Sequence, residues 1–236
     1  MTDAELLATF ETTFREGATA NGGAWSGNVW ATATNLGALR WSYLLSIDTS
    51  EDLSITLQQL EASPETDYLV WEFWKTNGTG APRLATAVRW KNGGAFTVPK
   101  SPPASAVLPP SSSGTYQIVS PILESGWCLV GEGSKFVPVS ARRFRSVGGS
   151  ADSDGPTLRV TVDAASGESV TVWLLTPAAT KTALLDGARS GKAVAITPLQ
   201  ITCTAPKCLG EDCVTKMVLA CYSSSVCNCV RAEETS

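Results

Sequence analysis

From residue 28 to residue 98 the chain runs in short apolar stretches that alternate with polar positions and close on Gly, Pro, Asn or Asp. That is the pattern of antiparallel strands. In NVWATATNLGALRWSYLLSID, Asn35-Leu36-Gly37 sits between two aromatic-rich runs and predicts a hairpin. DLSITLQQLEA, DYLVWEFWKTNG and PRLATAVRWKNGGAFTVP follow, separated by Pro64, by the loop 77–80 and by Asn92-Gly93-Gly94. Each reads as one or two strands, although Leu53, Leu57 and Leu60 also fit helical spacing. Ahead of this region, Thr2 or Asp3 can cap a short helix with Leu6, Leu7, Phe10 and Phe14 on one side and Gly17 at its end.

Residues 99–114, PKSPPASAVLPPSSSG, are dense in proline, which lacks the amide a ladder needs, and predict a surface loop or linker. Beyond it come TYQIVSPIL, GWCLVGE, KFVPVSARRFRSV, TLRVTVDA, ESVTVWLLTP and KAVAITPLQITC, again short and regularly bounded. Within TLRVTVDAASGESVTVWLLTP, Leu158, Val160 and Val162 alternate with Thr157, Arg159 and Thr161 before residues 163–168 turn the chain, which predicts a second hairpin. The expected fold is all-β: an antiparallel β-sandwich over 21–202, preceded by an amino-terminal helix over 1–20 and followed by a cysteine-rich tail over 203–236. The 99–114 loop would join two β-layers or subdomains.

Composition narrows the chemistry. Lys plus Arg number 18 against 22 Asp plus Glu, with pI near 5.0, so the chain lacks the basic field that grips phosphate backbones and nucleic acid is not an expected partner. There is no histidine. Ser-His-Asp and Cys-His catalysis and histidine-ligated zinc are thereby excluded, leaving carboxylates, Lys, Tyr or Cys for any reaction. No cofactor or metal site is expected. No apolar run reaches membrane-spanning length, and the amino terminus lacks a basic segment followed by an apolar one. The chain is then either cytosolic or a form whose leader is left off, and the cysteines favour the secretory or extracellular side.

Cys203, Cys208, Cys213, Cys221, Cys227 and Cys229 crowd the tail without any CxxC pair, predicting a disulfide-stapled appendage over a thiolate metal site. Cys128 is left as an odd, buried thiol. Asn77-Gly78-Thr79 is a glycosylation acceptor in a loop.

In YLVWEFWK, strand alternation puts Leu69, Trp71 and Phe73 on one face and Tyr68, Val70, Glu72 and Trp74 on the other. A carboxylate among aromatic rings is one way to build a sugar-binding surface, so Trp71, Glu72, Trp74 and Trp90 are the carbohydrate-binding candidates. The competing reading is a strand buried on both faces, with Glu72 paired to Arg89 or Lys91. Glu132, between Gly131 and Gly133, occupies a turn that would expose it, and no second carboxylate is nominated beside it. Arg142, Arg143 and Arg145 are expected to pair with nearby carboxylates, and Ser140 with Lys135 carries little as a nucleophile pair. Asp152, Asp154 and Gly155 resemble part of a calcium loop but lack its closing Glu, favouring a solvated turn. No catalytic residue is assigned.

Read in order, Tyr68-Leu69-Val70-Trp71-Glu72, Tyr116-Gln117-Ile118-Val119-Ser120-Pro121-Ile122-Leu123, Gly126-Trp127, Gly131-Glu132, Lys135-Phe136-Val137-Pro138-Val139-Ser140 and Gly167-Glu168-Ser169-Val170-Thr171-Val172 resemble the β-sandwich domain that follows the catalytic barrel in raffinose-synthase and alkaline α-galactosidase-type glycosidases. The resemblance spans residues 67–175 and leaves the cysteine tail outside it. It implies a non-catalytic domain, structural and carbohydrate-contacting, partnered by a glycosidase barrel. Such a barrel needs about 250 residues that this chain does not supply, so its catalytic aspartates map to no position here. It also implies that GWCLVGEGSKFVPVS forms a core hairpin with Trp127 and Phe136 inside. The alternatives are a stand-alone secreted lectin or surface protein, or a coat-type structural protein.

Overall fold

The computed structural model describes residues 29–47, 49–73, 84–100, 114–152, 155–190, 193–206, 214–222 and 226–231. The expected amino-terminal helix, Trp74, Asn77, Asp154, Cys208, Cys213 and residues 101–113 lie outside the described residues.

The predicted first hairpin is formed by β1 (Val29–Leu36) and β2 (Leu39–Ile47), closed where Leu36 opposes Leu39 and Gly37 takes φ +62°. These two strands begin a six-stranded antiparallel sheet. It is completed by β4 (Tyr68–Glu72), β5 (Leu84–Val88), β7 (Gly114–Pro121) and β13 (Val194–Ala195), in the order β1-β2-β7-β4-β5-β13. Strand β7 follows the proline-rich segment in sequence yet lies between β2 and β4, so the strands before and after that segment share one sheet.

Both faces of this sheet are covered, because successive residues on its strands enter different cores. Trp41, Tyr43, Leu69, Trp71, Tyr116 and Ile118 point to the larger core, while Leu44, Tyr68, Val70 and Val119 point to a smaller one. The smaller core is capped by the two-stranded β3 (Leu53–Thr56) and β6 (Ala95–Val98). After β3 the chain makes a tight turn and not a helix. Thr56 and Gln59 bond reciprocally, the Thr56 amide donating to Gln59 Oε1 at 2.8 Å and the Gln59 amide to Thr56 Oγ1 at 3.2 Å. Leu57 and Leu60 drop into the small core from that turn.

Two further sheets close the larger core. One has the order β14-β12-β8, from β8 (Cys128–Gly131), β12 (Ser169–Leu175) and β14 (Leu199–Thr204). In the other, β11 (Gly155–Ala165) pairs on one side with β15 (Val214–Tyr222), itself paired with β16 (Val226–Arg231). On its other side β11 pairs with β9 (Phe144–Gly148) and β10 (Ala151–Asp152). The antiparallel, sandwich-type architecture expected from the strand pattern is therefore present.

The second predicted hairpin is not. β11 and β12 are consecutive, but they belong to different sheets and no ladder joins them. Both alternate cleanly, and the apolar rows Leu158-Val160-Val162 and Val170-Val172-Leu174 fill the same core from two layers. The turn between them is an arch. Alternation reports which face is buried and not which neighbour supplies the hydrogen bonds.

The tail also differs from the expected appendage. β15 pairs with β11 from Ala165–Val214 to Thr157–Tyr222, and Met217, Leu219 and Cys221 are buried in the main core. Cys221 and Cys227 face each other across the β15–β16 ladder and are bonded, and Cys203 on β14 is bonded to Cys229 on β16, joining two sheets. Cys128 is a buried free thiol whose pKa burial pushes far up, keeping it protonated.

One helix, α1 (Pro177–Ser190), was not foreseen from the pattern. Its start carries a readable signal: Thr176 Oγ1 accepts the Ala179 amide at 3.3 Å, and Pro177 occupies the first helical position. Among the described residues no helix is long and apolar enough to cross a membrane.

The two disulfides differ in the chain they close. Cys203–Cys229 spans 26 residues and Cys221–Cys227 spans 6, so loop-closure entropy assigns them roughly 3.5 and 2.2 kcal/mol. Urea unfolding of Cys203→Ser/Cys229→Ser is expected to show the larger loss, and equal losses from the two double variants would contradict this account.

Candidate functional site

The site is built on the connection from β8 to β9. Gly131 ends β8 at φ +95°, and a Cβ there would lie 2.3 Å from Pro138 O, so only glycine lets the two backbones meet. The Glu132 amide then donates to Pro138 O at 2.9 Å and the Lys135 amide to Glu132 O at 3.0 Å, folding 132–138 into a closed loop. Residues 136–140 join no ladder, and β8 pairs with β12 instead. The hairpin implied by the resemblance is thus replaced by a looped excursion. Pro138 at its waist has no amide to offer a neighbouring strand.

The six-stranded sheet fixes this loop from below. Tyr43 Oη donates to Val139 O at 2.8 Å, and Tyr116 Oη donates to Phe136 O. Burial pushes the pKa of both phenols up, most strongly through lost hydration, which keeps them protonated as donors. Trp41 Nε1 bonds Leu129 O at 3.0 Å and Trp127 Nε1 bonds Pro156 O at 3.2 Å, anchoring β8 and its approach. Trp127 is fully buried as expected. Phe136 is half-buried, its ring 5.3 Å from Phe73 and 6.3 Å from Tyr116.

Arg143 is the electrostatic centre. Its Nε donates to Glu132 Oε2 at 3.2 Å, Nη1 and Nη2 form a fork on Glu168 at 2.8 and 2.5 Å, and Nη1 also reaches Asp163 O at 2.7 Å. Glu168 additionally accepts the Ala165 amide at 2.8 Å, closing the β11–β12 arch. Hydrogen bonding from Arg143 holds the Glu168 carboxyl below its ordinary range, and the bond to Glu168 raises Arg143 in turn. Arg145 pairs separately with Asp163 at 2.6 Å. Glu132 is 8% exposed, which corrects the expectation that its turn would display it: the arginine draws it inward. The expected pairing of the arginine cluster with carboxylates holds for Arg143 and Arg145, and no sequence rule nominated Glu168 as the partner.

Above this network lies an open cleft of about 460 Å³, lined by Glu132, Lys135, Phe136, Val137, Ser140, Arg142 and Arg143. Lys135 and Arg142 are exposed on its rim, and Ser140 Oγ accepts the Arg142 amide at 3.2 Å.

The sequence-predicted sugar candidates are elsewhere. Trp71 is 2% exposed with its Nε1 on Ser120 Oγ at 3.1 Å, so it has no face to offer a ligand. Tyr68 and Val70 enter the small core, which makes YLVWE the doubly buried strand of the competing reading. Glu72 opposes Gln117 on β7 and sits at the far end of the β4–β5 ladder from Arg89 and Lys91, so the expected cross-hairpin pair does not form. Trp90, half-buried, packs against the small core within a 3-10 turn. Asp152 and Gly155 oppose each other on the β10–β11 ladder, and among the described residues no group of His, Cys, Asp and Glu is arranged to hold a metal ion.

Replacing Arg143 by Met would strand Glu132 as an unpaired buried carboxylate and is expected to cost about 3 kcal/mol in urea unfolding. Because the Glu168 carboxyl is lowered on folding, its contribution is present above its ordinary value near 4.5 and is lost as pH falls through the lower folded value. Glu168→Gln is therefore expected to flatten the loss of stability below about pH 4.5, and an unchanged acid limb would remove this pair from the account. Gly131→Ala is expected to destabilise by more than about 2 kcal/mol in the same measurement, because the added methyl meets backbone.

The chain matches no family model, no curated protein and no solved structure, so the site stands on its own geometry.

Proposed function

We propose that this chain is a non-catalytic β-sandwich domain of a carbohydrate-active enzyme, structural in the main and carbohydrate-contacting at the cleft beside the β8–β9 loop. The observation that carries the reading is the state of the carboxylates. Glycoside hydrolysis needs two carboxyl groups, one held protonated and the other free to attack or to activate water. Glu132 and Glu168 instead share one guanidinium, and Glu168 is shifted in the direction opposite to that of a general acid. The chain also has no histidine to take over that role. What supports a contacting role is the company on the cleft wall: a braced aromatic ring, a serine hydroxyl and exposed cations. Sugars are bound by that mixture of a flat apolar surface and a few placed polar groups.

A second reading, a coat-type or assembling structural protein, is favoured by one observation. Val214, Tyr222, Val226 and Val230 are each more than half exposed on β15 and β16, and β16 ends its sheet among the described strands.

A glycan array run beside hydrolysis of α-galactosides is expected to give binding without turnover. Turnover would overturn the non-catalytic reading, and silence on the array together with a large species on size-exclusion chromatography would favour the assembling protein.

A further inference from the structure

We infer that the ligand of the cleft is an acidic sugar, a uronate-bearing oligosaccharide whose carboxylate lies between Lys135 and Arg142; this rests on the carbohydrate-contacting reading above. The first argument is charge. The lining holds three cations and one carboxylate in a chain whose formal net charge is −4, so the cleft opposes the sign of the molecule around it. The three cations are not equivalent. Arg143 is already joined to Glu132 and Glu168, whereas Lys135 and Arg142 are exposed and stand in no close ion pair among the described residues, the Lys135 charge acting on Glu168 only as a minor contribution to its lowered carboxyl. A pair of exposed cations beside a neutralised one attracts a single anionic group and leaves the structural arginine undisturbed.

The second argument is shape and rigidity. Phe136 presents a ring braced on its inner side by Phe73 and Tyr116, and its carbonyl is fixed by the Tyr116 hydroxyl. Val137 extends that apolar wall, and the loop carrying both residues is pinned at Val139 by Tyr43. A pyranose has an apolar face of matching kind, and a wall that is already fixed loses little freedom on binding. Ser140 Oγ accepts the Arg142 amide and retains its proton for a sugar hydroxyl or ring oxygen. About 460 Å³ suits one or two sugar units. An acidic sugar uses the ring wall, the hydroxyl and both cations together, and a neutral sugar leaves the two cations without a role.

The test is isothermal titration of the full chain with trigalacturonate, with neutral galactotriose and with triglutamate, at low and at raised salt. Lys135→Gln and Arg142→Gln are measured beside it, since both side chains are exposed and the variants are expected to melt as the parent does. Expected are binding of trigalacturonate that weakens severalfold in salt, a loss of about fivefold to tenfold from each variant, and no heat from galactotriose or triglutamate. Galactotriose binding as tightly as trigalacturonate, indifferent to both variants, would overturn the acidic-sugar inference and leave the carbohydrate reading standing. Triglutamate binding equally well would overturn both by making the cleft a general anion site. Heat from none of the three would overturn the inference, and the carbohydrate reading would fall with it only if the glycan array were also silent.

Discussion

Arg143 ties together two sheets that no backbone ladder joins to each other. It stands just before β9, yet its guanidinium reaches Glu132 at the end of β8, Glu168 in the arch between β11 and β12, and the Asp163 carbonyl. The arch passes from one sheet to another, and the β8–β9 connection makes the same crossing on its own path. A hydrophobic core would tolerate several ways of closing these two turns. A planar fork that must place its hydrogen-bond donors on two carboxylates and a carbonyl tolerates far fewer, and leaving any partly buried member unpaired is costly.

The same network shapes what the surface can do. With Glu132 and Glu168 both committed to the arginine, the cleft above them holds among the described residues no carboxyl outside that network, and its remaining polarity belongs to Lys135, Arg142 and Ser140. The six-stranded sheet contributes from beneath. Because its two faces are both buried, Trp41, Tyr43, Trp71 and Tyr116 serve as internal packing, with their polar tips directed to backbone or to Ser120. Two of those tips support the loop that carries Phe136. The tyrosines of this sheet therefore act as the mount of that loop.

Much of the fold was legible along the chain, residue by residue. Gly37 between alternating runs announced the first hairpin, the regular spacing of short apolar stretches announced a sandwich, and an isolated Cys128 in an apolar run announced a buried thiol. The helix after Thr176-Pro177 carried a cap and a first-turn proline, but its small residues give only a weak apolar stripe, and periodicity alone passed over it. Cysteine spacing drew attention away from the alternation of Thr215, Met217, Leu219 and Cys221, which is an ordinary half-buried strand.

The sequence by itself determined the class of structure, the turn positions that need glycine and, through the absence of histidine, the chemistry that cannot occur here. Those are properties of single residues and their near neighbours. Only the tertiary structure decided that β11 and β12 part into different sheets, that Trp71 faces inward on a sheet covered twice, and that Glu132 and Glu168 meet at one arginine. Strand pairing and ion pairing between residues far apart in the chain depend on which layers come to rest against each other. The period of a strand names its buried face and carries no record of the partner beyond it.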